Sequence, residues 1–250
     1  MIRVKNQKQI EGIRASCALL SRLLFTVRKA IAPGVSGLEL DELAEDFIRK
    51  HGGRPAFLGY EGFPGTVCIS INEAVIHGIP DKRKLREGDI VGIDCGIDLD
   101  GYYSDAAVTW PVGQVSPSAD QLMRVTRECL DKGIAAITPG ARIFDISRAV
   151  FSHATAYGYG VVRQYCGHGV GLEIHEDPQI PNYVSSGPNP RLVPGMVVAI
   201  EPMINAGRPE VRILADDWTV VTMDASLSAH YEHTVLVTET GHEVLTSWEF

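Results

Sequence analysis

The sequence predicts an α+β protein, built as one domain from two related helix–helix–strand halves around a shared mixed sheet. Three observations carry that expectation. Stretches with helical periodicity alternate with β-rich apolar runs. A helix–turn–helix pattern occurs twice, 106 positions apart, and a strand ending on an acid occurs twice at a shift of 107. No Pro/Ser-rich linker separates the copies. Two matches in the same order at nearly equal offset point to a duplicated unit. The halves are expected over about 8–112 and 113–250 of a single domain spanning 1–250.

The first helix follows from Ile10, Ile13, Cys17, Leu20, Leu24, Val27 and Ile31, whose steps of three and four trace one helical face. Pro33-Gly34 ends it. Ser36-x-x-Glu39 reads as a capping box opening a second helix through Leu40, Leu43 and Phe47, which Gly52-Gly53 stops. The pattern returns as Ile137-Thr138-Pro139-Gly140, then Phe144-Asp145-Ile146 against Leu38-Glu39-Leu40, then Gly158 against Gly52. The helix before this second copy is expected to begin at Ser118-x-x-Gln121 and to bury Leu122, Val125 and Cys129.

The strands come next. Leu85-x-x-Gly88-x-Ile90-Val91-x-Ile93-Asp94 matches Leu192-x-x-Gly195-x-Val197-Val198-x-Ile200-Glu201. A further acid enters an alternating β segment in each half, Asp105 in the first and Glu232 in the second. Asp100-Gly101 is a primed-turn signal, so Asp94 and Asp105 flank a hairpin within a residue or two of facing each other. Diagonal cross-strand neighbours lie about 7 Å apart, close enough to share an ion. The duplication is expected to put Glu201 and Glu232 in the matching places of a second hairpin. Any one of these acids alone reads as a turn cap or a surface charge. Four converging across a pseudo-two-fold repel one another strongly unless cations neutralise them.

Histidines extend the set. Gly167-His168-Gly169-Val170-Gly171 surrounds a His with glycines, which lets backbone and ions approach closely. His175 follows seven residues on, and His77 is a third candidate in the first half. Four carboxylates with one imidazole and no thiolate favour Mn, Fe, Co or Zn over a structural Cys-type zinc. Four carboxylates also suit two ions sharing bridging acids, the arrangement of two-metal hydrolases.

Composition narrows the partners. Of 250 residues 45% are apolar, ample for a sizeable core, and 31 acids against 23 Lys and Arg leave a net charge of −8. That balance excludes the basic stripe of nucleic-acid binders and the Lys/Arg clusters that dock on anionic membranes. The best apolar run, Ala18–Val27, is interrupted by Arg22, and the N-terminus shows no signal-peptide core. A cytoplasmic protein is expected. The five cysteines are odd in number and widely spaced, with no C-x-x-C, so neither disulfides nor a zinc knuckle is expected. No coiled-coil pattern argues for assembly, and a monomer is expected.

Five ordered segments carry a family resemblance: TVCISINEAVIHGIP (66–80), IDCGIDLDGYYSDAA (93–107), YCGHGVGLEIHEDPQI (165–180), AIEPMI (199–204) and DDWTVVTMDASLSAHYEHTVLVTE (216–239). From about residue 5 onward the chain resembles type I methionine aminopeptidases of the pita-bread fold, M24-family metallopeptidases. The resemblance implies a mainly antiparallel curved sheet. It further implies removal of the initiator methionine from nascent proteins and peptides at the ribosome, with a small second residue preferred. Asp94 and Asp105 would bind one divalent ion and His168 and Glu201 the other, with Asp105 and Glu232 bridging. Glu201 would also act as general base toward the attacking water. His77 and His175 would hydrogen-bond the scissile amide and the tetrahedral intermediate. Phe57, Tyr60, Phe63, Cys68, Ile174 and Trp218 would line the methionine pocket.

Departures are confined to that pocket: Phe57 and Ile76 stand where relatives often carry Cys, and Ile174 where an aromatic is common. The 26 residues from His175 to Glu201 leave no room for the helical insertion of type II enzymes, and the zinc-finger segment of eukaryotic type I forms is not expected. Two alternatives stand beside this reading. A prolidase or X-Pro aminopeptidase usually carries a large N-terminal domain and lacks the YCGHGVG and DDWT segments. A catalytically inactive pita-bread binding protein would lose metal ligands, whereas all five are present here.

Overall fold

The first apolar stripe folds as α1 (Gln7–Ala30), in a computed structural model that describes residues 1–248. Asn6 and Gln9 exchange side-chain-to-backbone hydrogen bonds and so satisfy two otherwise unpaired N–H groups. Ile13, Leu20, Leu23 and Leu24 of this helix are fully buried. The Ser36/Glu39 capping box opens α2 (Gly37–Lys50). Its buried face runs through Leu40, Ala44 and Ile48, one residue round from the expected stripe, and leaves Leu43 and Phe47 half-buried. The small Ala44 side chain lets α2 approach α1 and the strand that follows.

β1 (Arg54–Pro55), β2 (Cys68–Ile71), β3 (Ala74–Ile76), β4 (Ile90–Leu99) and β5 (Tyr102–Pro111) complete the first half. β4 and β5 form a ten-residue hairpin that turns on Asp100 and Gly101. Both turn residues have positive φ (54° and 82°), as a primed turn requires.

The second half opens with α3 (Pro117–Ala135) and α4 (Ile143–Ala156). Ser116, not Ser118, caps α3: its hydroxyl accepts the Ala119 N–H at 3.2 Å, and Pro117 sits in the first turn, where its missing N–H costs nothing. Then follow β6 (Gly160–Val161), β7 (Gly167–Gly169), β8 (Glu176–Ile180), β9 (Val197–Ile200) and β10 (Met203–Asn205). β11 (Val211–Ile213), β12 (Val220–Thr222), β13 (Ser228–His230), β14 (His233–Thr238) and β15 (Gly241–Val244) close the described chain.

Every strand pairing among the described residues is antiparallel, in four hydrogen-bonded sheets, so the sheet is not mixed as expected. Hairpins join β4 to β5, β7 to β8, β11 to β12 and β14 to β15, and longer connections bring the other neighbours together. The helices lie at the start of each half and do not serve as crossovers between parallel neighbours.

Backbone hydrogen bonds repeat at the sequence shifts. Leu85 N donates to Val35 O at 2.7 Å, and Leu192 N to Ala141 O at 2.9 Å. Gly88 N donates to Val112 O and Gly195 N to Val237 O, both at 2.9 Å. The same register carries the acids. β4–β5 pairs Asp94 with Ala107 and Gly96 with Asp105, so the two acids are diagonal neighbours. In the second half Ile200 pairs with His233 and Met203 with His230, one continuous register across a short gap.

One expectation is corrected here. Glu201 does stand where Asp94 stands, but the place equivalent to Asp105 is held by His230. Glu232 takes the place of Ala107. The return strand matches at a shift of 125, from Asp105 to His230, because the β11–β12 hairpin is inserted between the two strands.

Candidate metal centre and pocket

The two hairpins meet back to back, and each braces the other. The Thr234 hydroxyl donates to Asp105 O at 2.7 Å and accepts Asp105 N–H at 3.1 Å. The Thr109 hydroxyl does the same for His230, donating to its carbonyl at 2.9 Å and accepting its N–H at 3.0 Å. Glu232 N donates to Ala107 O at 2.8 Å across the same seam. All four acids thereby face one small volume.

Three groups of donor atoms there lie within 4.8 Å of one another: Asp94, Asp105 and Glu232; His168, Glu201 and Glu232; and Asp105, His168 and His175. The five expected ligands are therefore brought together, with Glu232 shared by the first two groups. His168 Nε2 is 3.5 Å from Glu201 Oε1 and 3.7 Å from Asp105 Oδ2. Its Nδ1 lies 3.0 Å from Gly169 O. An N–H donated to that carbonyl leaves the Nε2 lone pair aimed at the carboxylates, the tautomer a metal ligand needs.

Electrostatics agree. Burial raises Asp94 to about 7 and Glu201 to about 8, and it raises Asp105 and Glu232 well above the ordinary carboxylate range, neighbouring acids adding to the rise in these last two. Burial lowers His168 to about 3, which keeps its imidazole neutral. Asp94 Oδ1, Asp105 Oδ1 and Glu232 Oε1 are buried with no hydrogen-bond partner. Buried anions without partners are strongly unfavourable, and divalent cations in an oxygen-rich cage with one nitrogen are the natural complement. The nearby Cys68 and Cys95 thiols are pushed well up by burial, so they stay protonated and do not compete as ligands.

Beside the donors lies a cavity of about 190 Å³. Phe57, Tyr60, Phe63, Cys68 and Trp218 line it, and Ile174 packs with Phe57, Phe63 and Cys68 in one apolar cluster. The Phe63 and Trp218 rings meet edge-on at 5.1 Å. Gly96 opens this pocket: a Cβ there would come within 2.9 Å of Phe57 and Ile174 atoms and 3.0 Å of Ala56. His77 and His175 flank the cavity. His77 adopts a left-handed backbone (φ 57°), and burial first, then His230 and His175, lower its pKa to about 4. The His175 ring lies edge-on to His168 at 4.4 Å, with Nδ1 3.0 Å from the Tyr60 hydroxyl.

Sequence reasoning missed Glu61, Tyr165 and Cys166 as lining residues, and it missed His230 altogether. A signal for Cys166 was present. Cys68…Ile76-His77…Pro80 recurs at a shift of 98 as Cys166…Ile174-His175…Pro178, so the flanking histidines and cysteines are themselves a repeated pair. The N-terminal segment also acts on this site. The Lys5 ammonium meets Glu176 Oε2 at 2.9 Å with both side chains 1% exposed, and Glu176 Oε1 accepts the Leu172 N–H at 2.7 Å. That pair braces the loop carrying Ile174 and His175, and the Met1 ammonium adds a contact to Asp177.

An antiparallel duplicated fold with this donor set defines a metallopeptidase. Residues 11–239 match metallopeptidase family M24, and the chain belongs to that family. A protein of Treponema pallidum named methionine aminopeptidase is 54% identical over 247 residues, 98% of this chain and 96% of its own. The crystal structure of methionine aminopeptidase from Rickettsia prowazekii superposes with a TM-score of 0.96 at 41% identity, covering 99% of this chain and 100% of that one. Prolidase from Pyrococcus furiosus shares the pita-bread fold at a TM-score of 0.80 and 28% identity, but the match spans only 66% of its chain.

Proposed function

We propose that the chain is a methionyl aminopeptidase that removes N-terminal methionine from peptides and nascent proteins, preferring a small second residue. The observation that carries this reading is the junction of a buried four-carboxylate, one-imidazole centre with a cavity of about 190 Å³ walled on one side by Phe57, Phe63, Cys68 and Trp218. Close full-length likeness to methionine aminopeptidases supports it.

Asp94, Asp105, His168, Glu201 and Glu232 would hold two divalent ions, drawn from Co, Mn, Fe or Zn. Such ions supply Lewis-acid polarisation of the scissile carbonyl and of the attacking water. Glu201, with one oxygen turned toward the other donors and one away, accepts the proton of that water and later returns it to the leaving amine. His77 and His175 approach the reacting carbonyl from either side and hydrogen-bond the amide and the charge that develops on its oxygen. The Tyr60 hydroxyl orients His175. The methionine side chain enters among Phe57, Phe63, Cys68, Ile174 and Trp218, where burial contributes roughly 1.5–3 kcal/mol.

The same proposal takes the chain as one catalytic unit of two related halves. It acts as a monomer in the cytoplasm, on nascent-chain N-termini at the ribosome, without nucleic-acid or membrane partners. A net charge of −8 supports the exclusion of nucleic acid, and no described helix is long and apolar enough to cross a membrane. The test is hydrolysis of Met-Ala-Ser by protein reconstituted with Co, Mn or Fe between pH 6 and 8. Release of methionine is expected, with no cleavage of Ala-Pro-Ser; no methionine under any of these conditions would sink the assignment.

A further inference from the structure

Among the described residues near the centre, His230 is a buried titratable group that the mechanism above leaves unused. It is 4% exposed, and its Nε2 is buried without a hydrogen-bond partner. It does not belong to any of the three groups of converging donors. Its backbone nevertheless stands at the register position equivalent to Asp105, clamped by Thr109 as Asp105 is clamped by Thr234. The fold thus delivers a second side chain toward the centre from a ligand's address, but one too far back to join the donors.

His230 faces Glu201, with the Asp94 carboxylate also close enough to act on it electrostatically. Its Nε2 lies 3.5 Å from Glu201 Oε2, while His168 Nε2 lies 3.5 Å from Oε1. Each oxygen of this carboxylate therefore meets a different imidazole. His168 meets Oε1 among the converging donors, where its lone pair serves an ion; His230 meets Oε2 outside those groups, and there a neutral imidazole favours an ionised carboxylate by turning its N–H toward the oxygen, which places the His230 proton on Nε2. We propose that His230 is a positioning residue for Glu201: its Nε2–H, unpartnered here and 3.5 Å from Oε2, closes on that oxygen in the working site so that the carboxylate keeps one orientation toward the donors and the attacking water. This rests on the general-base reading of Glu201.

Three substitutions test it. His230→Gln keeps an N–H donor at comparable reach, whereas His230→Leu and His230→Met fill the volume without one. Removing a group that orients a metal-site carboxylate typically costs about 10–100-fold. The Leu and Met variants are therefore expected to lose kcat in that range on Met-Ala-Ser, with KM little changed, while the Gln variant stays close to the unaltered enzyme. Calorimetric titration with Co²⁺ should give the same number of ions bound per chain for all three, and their melting temperatures should agree.

Combining His230→Leu with Glu201→Gln should bring no further loss of kcat. Equal kcat for Leu and Gln variants would overturn the proposal. So would loss of one bound Co²⁺ in the Leu and Met variants, which would make His230 a ligand. If Glu201→Gln alone keeps full activity, the general-base reading fails instead, and that outcome is scored before the His230 variants are compared.

Discussion

The hairpin β4–β5 and its second-half counterpart share a register and differ in what they carry. The first is continuous, ten residues a side, and presents Asp94, Gly96, Asp105 and Ala107 on one face. The second is split between Ile200 and Met203 and between His230 and His233. The same face presents Glu201, Met203, His230 and Glu232. Asp94 and Glu201 are twins and both are metal-type acids. Gly96 and Met203 are twins with opposite uses. The glycine leaves room for the cavity beside Phe57 and Ile174, whereas Met203 is fully buried in a cluster with Val75, Ile76, Val162 and Val220. Duplication thus built two hairpins of one register in which only Asp94 and Glu201 keep acids at twin places, and side-chain size at Gly96 and Met203 left space on one side alone.

The sharpest break of that symmetry should come at the acids. Glu201→Gln is expected to lower kcat by about 10²–10⁴. It should leave most of the fold intact, as read by melting temperature and circular dichroism. Asp94→Asn should act differently, weakening divalent-ion binding by at least about tenfold while much of kcat returns at saturating metal. Matching phenotypes for the two, in calorimetry and steady-state kinetics, would dissolve the distinction between ligand and base.

The Gly96/Met203 pair should separate binding from stability. Met203→Ala removes fully buried apolar volume and is expected to cost about 2–5 kcal/mol in denaturant unfolding, with KM unchanged. Gly96→Ala pushes a Cβ against Phe57 and Ile174 and is expected to cost about 1–3 kcal/mol. It should also raise KM for Met-Ala-Ser several-fold. A stability loss at Gly96 without a KM effect would take the pocket away from this face.

A pH dependence of the metal-free protein is expected as well. Burial raises Asp94 to about 7 and Glu201 to about 8. A carboxyl whose folded pKa is raised binds its proton more tightly when folded. Its contribution is complete below the unfolded pKa of about 4 and is lost as pH climbs through 7–8. Chelator-treated protein should therefore melt lower at pH 8 than at pH 5. Metal-loaded protein should show no such fall, because cations replace the protons. A metal-free melting temperature that rose with pH over this window would contradict the buried, proton-holding acids.

Much of this was legible in the chain. Helix α1 could be read from its stripe, α2 from Ser36 and Glu39, and the turn of the first hairpin from Asp100-Gly101, because each depends on neighbours a few residues away. Asp94, Asp105, His168, Glu201 and Glu232 were legible because repeats and glycine flanks marked them. Ser116 was passed over as a cap since Ser118-x-x-Gln121 offered an equally good local pattern; Pro117 in the first turn decided between them. The pairing of Glu232 with Asp105 failed because the repeat was traced by residue type, whereas the ladder counts residues back from the pairing of β9 with β14.

The sequence by itself determined the helices, the duplicated strands and the metallopeptidase family, and it singled out the five candidate ligands, since local periodicity and side-chain chemistry suffice for each. Only the tertiary structure decided which groups touch. It put His230 in the twin position of Asp105 and against Glu201. It also set Lys5 against Glu176 beneath the loop of His175. Those pairings depend on strand register and on chain segments up to 171 residues apart, which no local pattern encodes.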